Sequence, residues 1–420
     1  MTTYATKEFR ETSIPWLPRV PEGWEVRKMK YLFKERSEKG FPNEPPLAAT
    51  QNMGVVPKKV YGQRTVEVSK DFDKLKLVRK GDFVISLRSF QGGIELAYYQ
   101  GIISPAYTIL TPNGEIQTSY FKHLAKSAPF IGLLRQCVTG IREGQNIDYS
   151  ILRKNLLPVP PLPEQRAIAS YLDEKCGEID KLIEVKEGEV GLLKEMKQGV
   201  ISEAVTRGLR GGALRASSIP WLPMVPEGWE EKRNSACFRL DKRIVGTSSR
   251  QTPLLSLTTK GIRVKQEDEV GGKRPTSYDG YQLVSPDEIV FCLFDLDCSA
   301  VFSGISNYMG MISPAYRVAK CTKHILPRYA DYWFRYIFMG RKFKAFSKSL
   351  RYTLTFSEFG ALPIAVPPLS EQEEIVGYLD KKCGELDEAV GVLEKQVECL
   401  KELKQSMIAD FVTGKRRVQL

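Results

Sequence analysis

Between Leu172 and Ala204 apolar residues recur every three or four positions: Leu172, Cys176, Ile179, Ile183, Val190, Leu193, Val200 and Ala204, with Lys186 and Lys197 in the same register. The pattern returns in Leu379, Cys383, Leu386, Val390, Leu393, Val397, Leu400, Met407 and Phe411, interrupted only by Lys404. Steps of three and four make a heptad seam, one apolar stripe along a long helix, and such a stripe needs a partner over its whole length. The partner nearest to hand is the other copy. Two helices related by an internal repeat pack most simply about a twofold axis perpendicular to the pair, which predicts an antiparallel coiled coil. Gly188, Gly191 and Gly199 weaken the first helix, each by up to about 1 kcal/mol against alanine, yet the seam runs through both copies.

Each seam is preceded by a proline-rich phrase, "VPPLPEQRAIASYLDEKCGEID" from Val159 and "VPPLSEQEEIVGYLDKKCGELD" from Val366. Prolines hold the lead-in extended and the following residues start a helix; Ser370 with Glu373 reads as a capping box, where the first copy has Pro163. Further upstream, "SIPWLPRVPEGW" from Ser13 returns as "SIPWLPMVPEGW" from Ser218, and "GIISPAY" from Gly101 returns as "GMISPAY" from Gly310. Short strand-like runs broken by glycine and proline fill the intervals, "GDFVISL" from Gly81 answering "DEIVFCL" from Asp287. A helix is expected within "RYADYWFRYIFMGRKFKAFSKSLR" of the second half, its Tyr332, Trp333, Tyr336 and Phe338 read as core. Trp16, Trp24, Trp221 and Trp229 lie inside the shared phrase, so packing common to both halves accounts for them. The fold class predicted is α+β: two pseudo-symmetric halves, each a globular mixed α/β domain followed by a long helix. The expected boundaries are 1–157 and 208–364 for the globular domains, with helical regions at 158–207 and 365–420.

Charge separates these regions. The 420 residues carry net +12, but Glu164–Thr206 is −4 and Glu371–Gly414 is −6, leaving +22 on the rest. Basic globular domains fit a polyanion, and duplex phosphates supply salt-dependent affinity without regard to sequence. Helices of about 40 residues are about 60 Å long, between one and two turns of a duplex at about 34 Å per turn. Two basic domains held apart by such a rod suit two separated half-sites. Between the shared phrases the halves diverge, as expected if each reads a different short sequence, since base edges specify while phosphates position. Candidate DNA-binding residues are Arg64, Arg88, Gln91, Arg142, Gln145 and Asn146 in the first domain. In the second they are Lys273, Arg274, Lys348, Arg351 and Tyr352, with Lys342 and Lys344 expected at phosphate.

Catalytic and metal-binding patterns are missing. His123 and His324 are the only histidines and do not correspond under the repeat, so neither a histidine triad nor a duplicated metal site is supported. "SFQGGIE" from Ser89 is too weak for a phosphate loop, and of the acids Asp287, Glu288, Asp295 and Asp297 the first two mark a strand's turn. Eight scattered cysteines without CxxC suggest reduced, mostly buried thiols. With no apolar run of about 18 residues and no signal-like start, the expectation is a cytoplasmic protein without a membrane partner.

The "P-x-G-W" phrase, a variable domain and "PPLPEQ" or "PPLSEQ" leading into a heptad helix, twice over, closely resemble the specificity (S, HsdS) subunit of type I restriction-modification systems. The resemblance covers essentially the whole chain. It implies two target recognition domains, each reading half of a bipartite double-stranded DNA target, with the coiled coil fixing the gap. It further implies two modification methyltransferase subunits carrying S-adenosylmethionine and two restriction translocase/nuclease subunits using ATP and Mg, with no cofactor on this chain. The rival readings are a free-standing nuclease or methyltransferase, and a scaffold that binds only proteins.

Overall fold

The computed structural model describes residues 3–6, 8–62, 71–140, 146–266, 276–347 and 352–419. The chain forms two compact units, one from Met1–Glu187 with Lys395–Leu420 and the other from Gly188–Glu394. Each unit therefore contains one globular domain and half of each of two long helices, Leu162–Arg207 and Leu369–Val412.

In the first unit the globular domain is built on a four-stranded antiparallel sheet of β1 (Phe33–Arg36), β2 (Phe83–Ile85), β3 (Glu95–Leu96) and β4 (Thr108–Pro112), in the order β3-β2-β4-β1. The central strand β2 is buried throughout, and its Phe83 meets Phe121 edge to face at 4.8 Å. Buried aromatics in this geometry contribute beyond their area. The second unit repeats the plan with β5 (Phe238–Asp241), β6 (Ile289–Phe291), β7 (Ser303–Ile305) and β8 (Arg317–Cys321), in the order β7-β6-β8-β5. Its aromatic cluster is larger, with Phe291 against Phe334 at 5.0 Å, and Tyr332, Trp333 and Tyr336 are buried. The expected helix is present but stops at Met339, because Arg341 turns left-handed at φ 49° and a short 3-10 turn, Lys342–Phe346, follows.

The repeated phrases meet in space. "PEGW" forms a tight turn in both copies: Trp24 N–H donates to the Pro21 carbonyl and Trp229 N–H to the Pro226 carbonyl, both at 3.2 Å. Gly23 and Gly228 take φ of 88° and 93°, a region that side chains disfavour. The strand after each tryptophan pairs with the proline-rich lead-in, Glu25–Lys28 with Leu156–Val159 and Glu230–Arg233 with Pro363–Val366. This brings the tryptophans onto the helix starts. Trp24 Nε1 donates to Glu164 Oε2 and Trp229 Nε1 to Glu371 Oε2, each at 3.1 Å. The neighbouring glutamines close the joint: Gln165 Nε2 donates to the Pro160 and Glu115 carbonyls, and Gln372 Nε2 to the Pro367 and His324 carbonyls. One correction concerns the caps. The helices begin at Leu162 and Leu369, one residue before Pro163 and Ser370, and the Pro368 carbonyl accepts the Glu371 and Gln372 N–H groups. Ser370 is thus already inside the helix.

Along the long helices every seam position is buried or half-buried, Lys186, Lys197 and Lys404 included. Within the first unit Ile179 and Ile183 cluster with Val397, Leu400 and Met407, while Lys404 reaches Asp180 at 2.6 Å and Lys401 reaches Glu187 at 2.8 Å. The second unit has the counterparts of both pairs, Lys197 with Asp387 at 2.6 Å and Lys194 with Glu394 at 2.8 Å. In each unit the later residue of one helix meets the earlier residue of the other, so the helices pack antiparallel. Two of the seam lysines, Lys197 and Lys404, turn their ammonium groups to acids of the facing helix, Asp387 and Asp180.

Candidate nucleic-acid interface

In the first unit three of the candidate residues, Arg88, Gln91 and Asn146, gather around a short helix, Ser89–Gly92, which follows β2. Ser89 Oγ accepts the Ser86 N–H at 2.9 Å and anchors the turn, leaving Arg88 and Gln91 exposed at either side. Asn146 sits on a short strand, Asn146–Ile147, that packs against this helix. Arg64, Arg142 and Gln145 lie outside the described residues.

Lys126 locks the assembly from behind. Its Nζ donates to the Gly92 carbonyl at 2.9 Å, to the Gln51 carbonyl at 3.0 Å and to the Glu95 carboxylate. Glu95 is 3% exposed; burial pushes its carboxyl pKa up, against the pull of the Lys126 ammonium. A buried acid with one cationic partner is costly to strip of it. Lys126 therefore holds two loops at a fixed distance, a role that nothing in its sequence neighbourhood announces.

In the second unit Lys342, Lys344 and Tyr352 come together. Lys344 Nζ stands 4.4 Å from the centre of the Tyr352 ring and Lys342 Nζ 4.3 Å from that of Tyr336, within reach of cation–π attraction. Burial lowers the Lys342 pKa, and Lys344 remains exposed. Arg341, missed in the sequence, donates to the Leu296 and Ser299 carbonyls at 3.0 and 2.8 Å and pins the loop after β6. Asp295, Arg341 and Tyr352 all hold left-handed φ near 50°. Strained backbone at three residues of one loop cluster is typical of a working surface. Lys273, Arg274, Lys348 and Arg351 lie outside the described residues.

Two of the groups considered for chemistry, Glu288 and His123, have structural partners. Glu288, at the turn before β6, accepts from Arg243 at 2.6 Å and from the Ser285 N–H at 2.8 Å. His123 Nε2 lies 2.7 Å from Asp173 Oδ1 on the first long helix; burial lowers its pKa, against the pull of Asp173. Among the described residues no three His, Cys, Asp or Glu side chains converge to hold a metal. The eight cysteines are unpaired, five of them buried and Cys298 and Cys399 exposed. No helix among the described residues is long and apolar enough to cross a membrane.

A family model described as the type I restriction modification DNA specificity domain matches residues 21–188. A curated protein of Methanocaldococcus jannaschii, named as a type I restriction enzyme MjaX specificity subunit, is 24% identical, and the alignment covers 99% of this chain and 98% of that one. Residues 21–188 thus match a type I DNA specificity domain, and the chain along its whole length is similar to a type I specificity subunit. Its fold is shared by a chain solved in work on complex assembly and conformational transition of a type I R-M system, at TM-score 0.69 and 16% identity, covering 94% of this chain and 98% of that one. The HsdS subunit from Thermoanaerobacter tengcongensis matches over the same shares at 16% identity and TM-score 0.48.

Proposed function

We propose that this chain is the noncatalytic DNA-recognising specificity subunit of a type I system, that each globular domain reads one half of a bipartite duplex target, that the paired helices set the spacer, and that methyltransferase subunits dock on the helical regions. The observation carrying the reading is the duplication itself: one sheet plan and one Trp–Glu joint occur twice, with different exposed side chains around each. A repeated scaffold with changed surface suits two different short sequences. In this reading 1–157 and 208–364 are the target recognition domains, and 158–207 and 365–420 form the spacer. Arg88, Gln91 and Asn146, with Arg64, Arg142 and Gln145, contact the first half-site. Lys342, Lys344 and Tyr352, with Lys273, Arg274, Lys348 and Arg351, contact the second.

Docking on the helices is supported by apolar side chains left in water beside the seam: Leu182 and Val185 in the first unit, Leu192 and Met196 in the second, each at least half exposed. Such side chains on a helix face suit a partner helix. Two modification subunits would bring S-adenosylmethionine and methylate adenine; two restriction subunits would bring ATP and Mg. This chain supplies address rather than chemistry, and acts in the cytoplasm.

The test is methylome sequencing of cells carrying the subunit with its methyltransferase. Replacing Val26–Leu157 with the corresponding segment of a relative should change one half-site alone, and adding one heptad to each helix should lengthen the spacer. A change in both half-sites after the replacement, or an unaltered spacer after the insertion, rejects the division of labour.

A further inference from the structure

The repeated "GIISPAY" and "GMISPAY" phrases are not explained by strands alone. Gly101 and Gly310 are pressed against the foot of a hairpin that occurs in both domains: Leu47–Thr50 with Gly54–Pro57, and Leu255–Thr258 with Gly261–Val264. A side chain at Gly101 would meet the Pro45 carbonyl at 2.2 Å and Leu47 at 2.8 Å; one at Gly310 would meet Leu255 at 2.6 Å and the Pro253 carbonyl at 2.7 Å. Ile102 N–H donates to that Pro45 carbonyl at 3.0 Å and Met311 N–H to the Pro253 carbonyl at 2.8 Å. The shared glycine is a clamp that sets where the hairpin stands.

The top of the stem is also built alike. Thr50 Oγ1 donates to the Gly54 carbonyl at 2.9 Å and accepts the Met53 N–H at 3.0 Å. Thr258 Oγ1 donates to the Gly261 carbonyl at 2.8 Å and accepts the Lys260 N–H at 3.2 Å. Between these matched ends the tips differ in length and chemistry, Gln51-Asn52-Met53 in one and Thr259-Lys260 in the other, and all five residues are exposed. In the first domain the tip adjoins the other candidates, for the Gln51 side chain lies over Gly92 and Lys126 ties both loops together.

We propose that this hairpin is a specificity-determining element of each domain, with Asn52 reading a base edge in the first half-site and Lys260 in the second, and Gln51 positioning the tip against the Arg88–Gln91 loop. A stem held constant by glycine and threonine under a tip free to vary is what base reading requires, because contact with the uniform backbone would favour a uniform tip. An amide pairs with adenine through two hydrogen bonds and a lysine ammonium suits guanine O6 and N7. The inference rests on the DNA-recognition reading above.

The experiment compares Asn52→Ala, Lys260→Ala and wild type as full-length subunits co-expressed with the methyltransferase, scored by methylome sequencing. Each substitution is expected to relax one base-pair position of one half-site, lowering discrimination there by about tenfold, while the other half-site stays intact. Replacing Gln51-Asn52-Met53 with Thr-Lys should shift the preference at that position. Because the tips are exposed, melting temperatures should match wild type, separating lost reading from lost fold. An unchanged motif, or a uniform loss of methylation at all sites, overturns the hairpin as a reader while leaving the subunit a DNA reader. Absence of any sequence-specific methylation with wild type overturns both.

Discussion

Glu164 and Glu371 stand at the same place in the two units and accept the same tryptophan N–H at the same distance, yet their remaining contacts differ. Glu164 is also held in a two-pronged pair by Arg417, with Nε and a terminal nitrogen both at 2.7 Å from its oxygens. Arg210, the corresponding arginine of the second unit, instead grips Glu374, with Nε 3.1 Å from Oε2. The joint thus separates into an invariant part, written within the repeated phrases, and an outer part that each unit has rebuilt. The first unit has turned a buried acceptor into an ion pair, and the second has left its glutamate with the tryptophan and moved the cation to the next turn.

The contrast is broken most forcefully at the tryptophans. Trp24→Ala or Trp229→Ala removes a fully buried ring and should cost about 3–5 kcal/mol in its own unit, read as local loss of hydrogen-exchange protection with the other unit unaffected. Next in size is Lys126→Met, which leaves the Glu95 carboxylate buried without its cation and should cost about 3 kcal/mol; Glu95→Gln in the same chain should recover much of it in a denaturant titration. Glu164→Ala should destabilise more than Glu371→Ala, by about 1–2 kcal/mol, because only the first strands a charged arginine. Equal losses in the two variants would mean that Arg417 adds nothing.

A smaller effect separates the two domain–helix contacts by pH. Asp173 meets His123 at 2.7 Å, while its counterpart Asp380 accepts the Tyr332 hydroxyl at 2.6 Å. Burial places the His123 pKa below its ordinary value of about 6.5. The unfolded chain therefore binds the proton more readily, so stability present above pH of about 6.5 is lost as pH falls through the folded value. His123→Tyr should flatten that slope in the first unit, whose melting would then follow acid as the second does.

The seam, the helix positions and the duplication could be read directly, because heptad spacing is a one-dimensional signal and a repeat is visible without coordinates. Lys197 and Lys404 looked like flaws in the stripe, and only the packing shows their ammonium groups on Asp387 and Asp180. The Trp24–Glu164 bond joins residues 140 positions apart, and no local pattern signals such a distance. The hairpin tips escaped notice for a different reason: Gln51-Asn52-Met53 and Thr259-Lys260 are short, unequal in length and aperiodic. What varies to carry information offers no period to find. Ser370 misled because Pro368, whose carbonyl already serves the first turn, starts the helix a residue early.

The division of the helices between units bears on how the polypeptide is made. The second unit is one continuous stretch, Gly188–Glu394, whereas the first needs Lys395–Leu420 to complete what Met1–Glu187 begins. On a ribosome adding about 5–20 residues each second, Ile179 and Ile183 wait about 10–40 s for Val397 and Leu400 to emerge. Throughout that interval the apolar edge of Ile179 and Ile183 lacks the side chains that cover it in the finished protein.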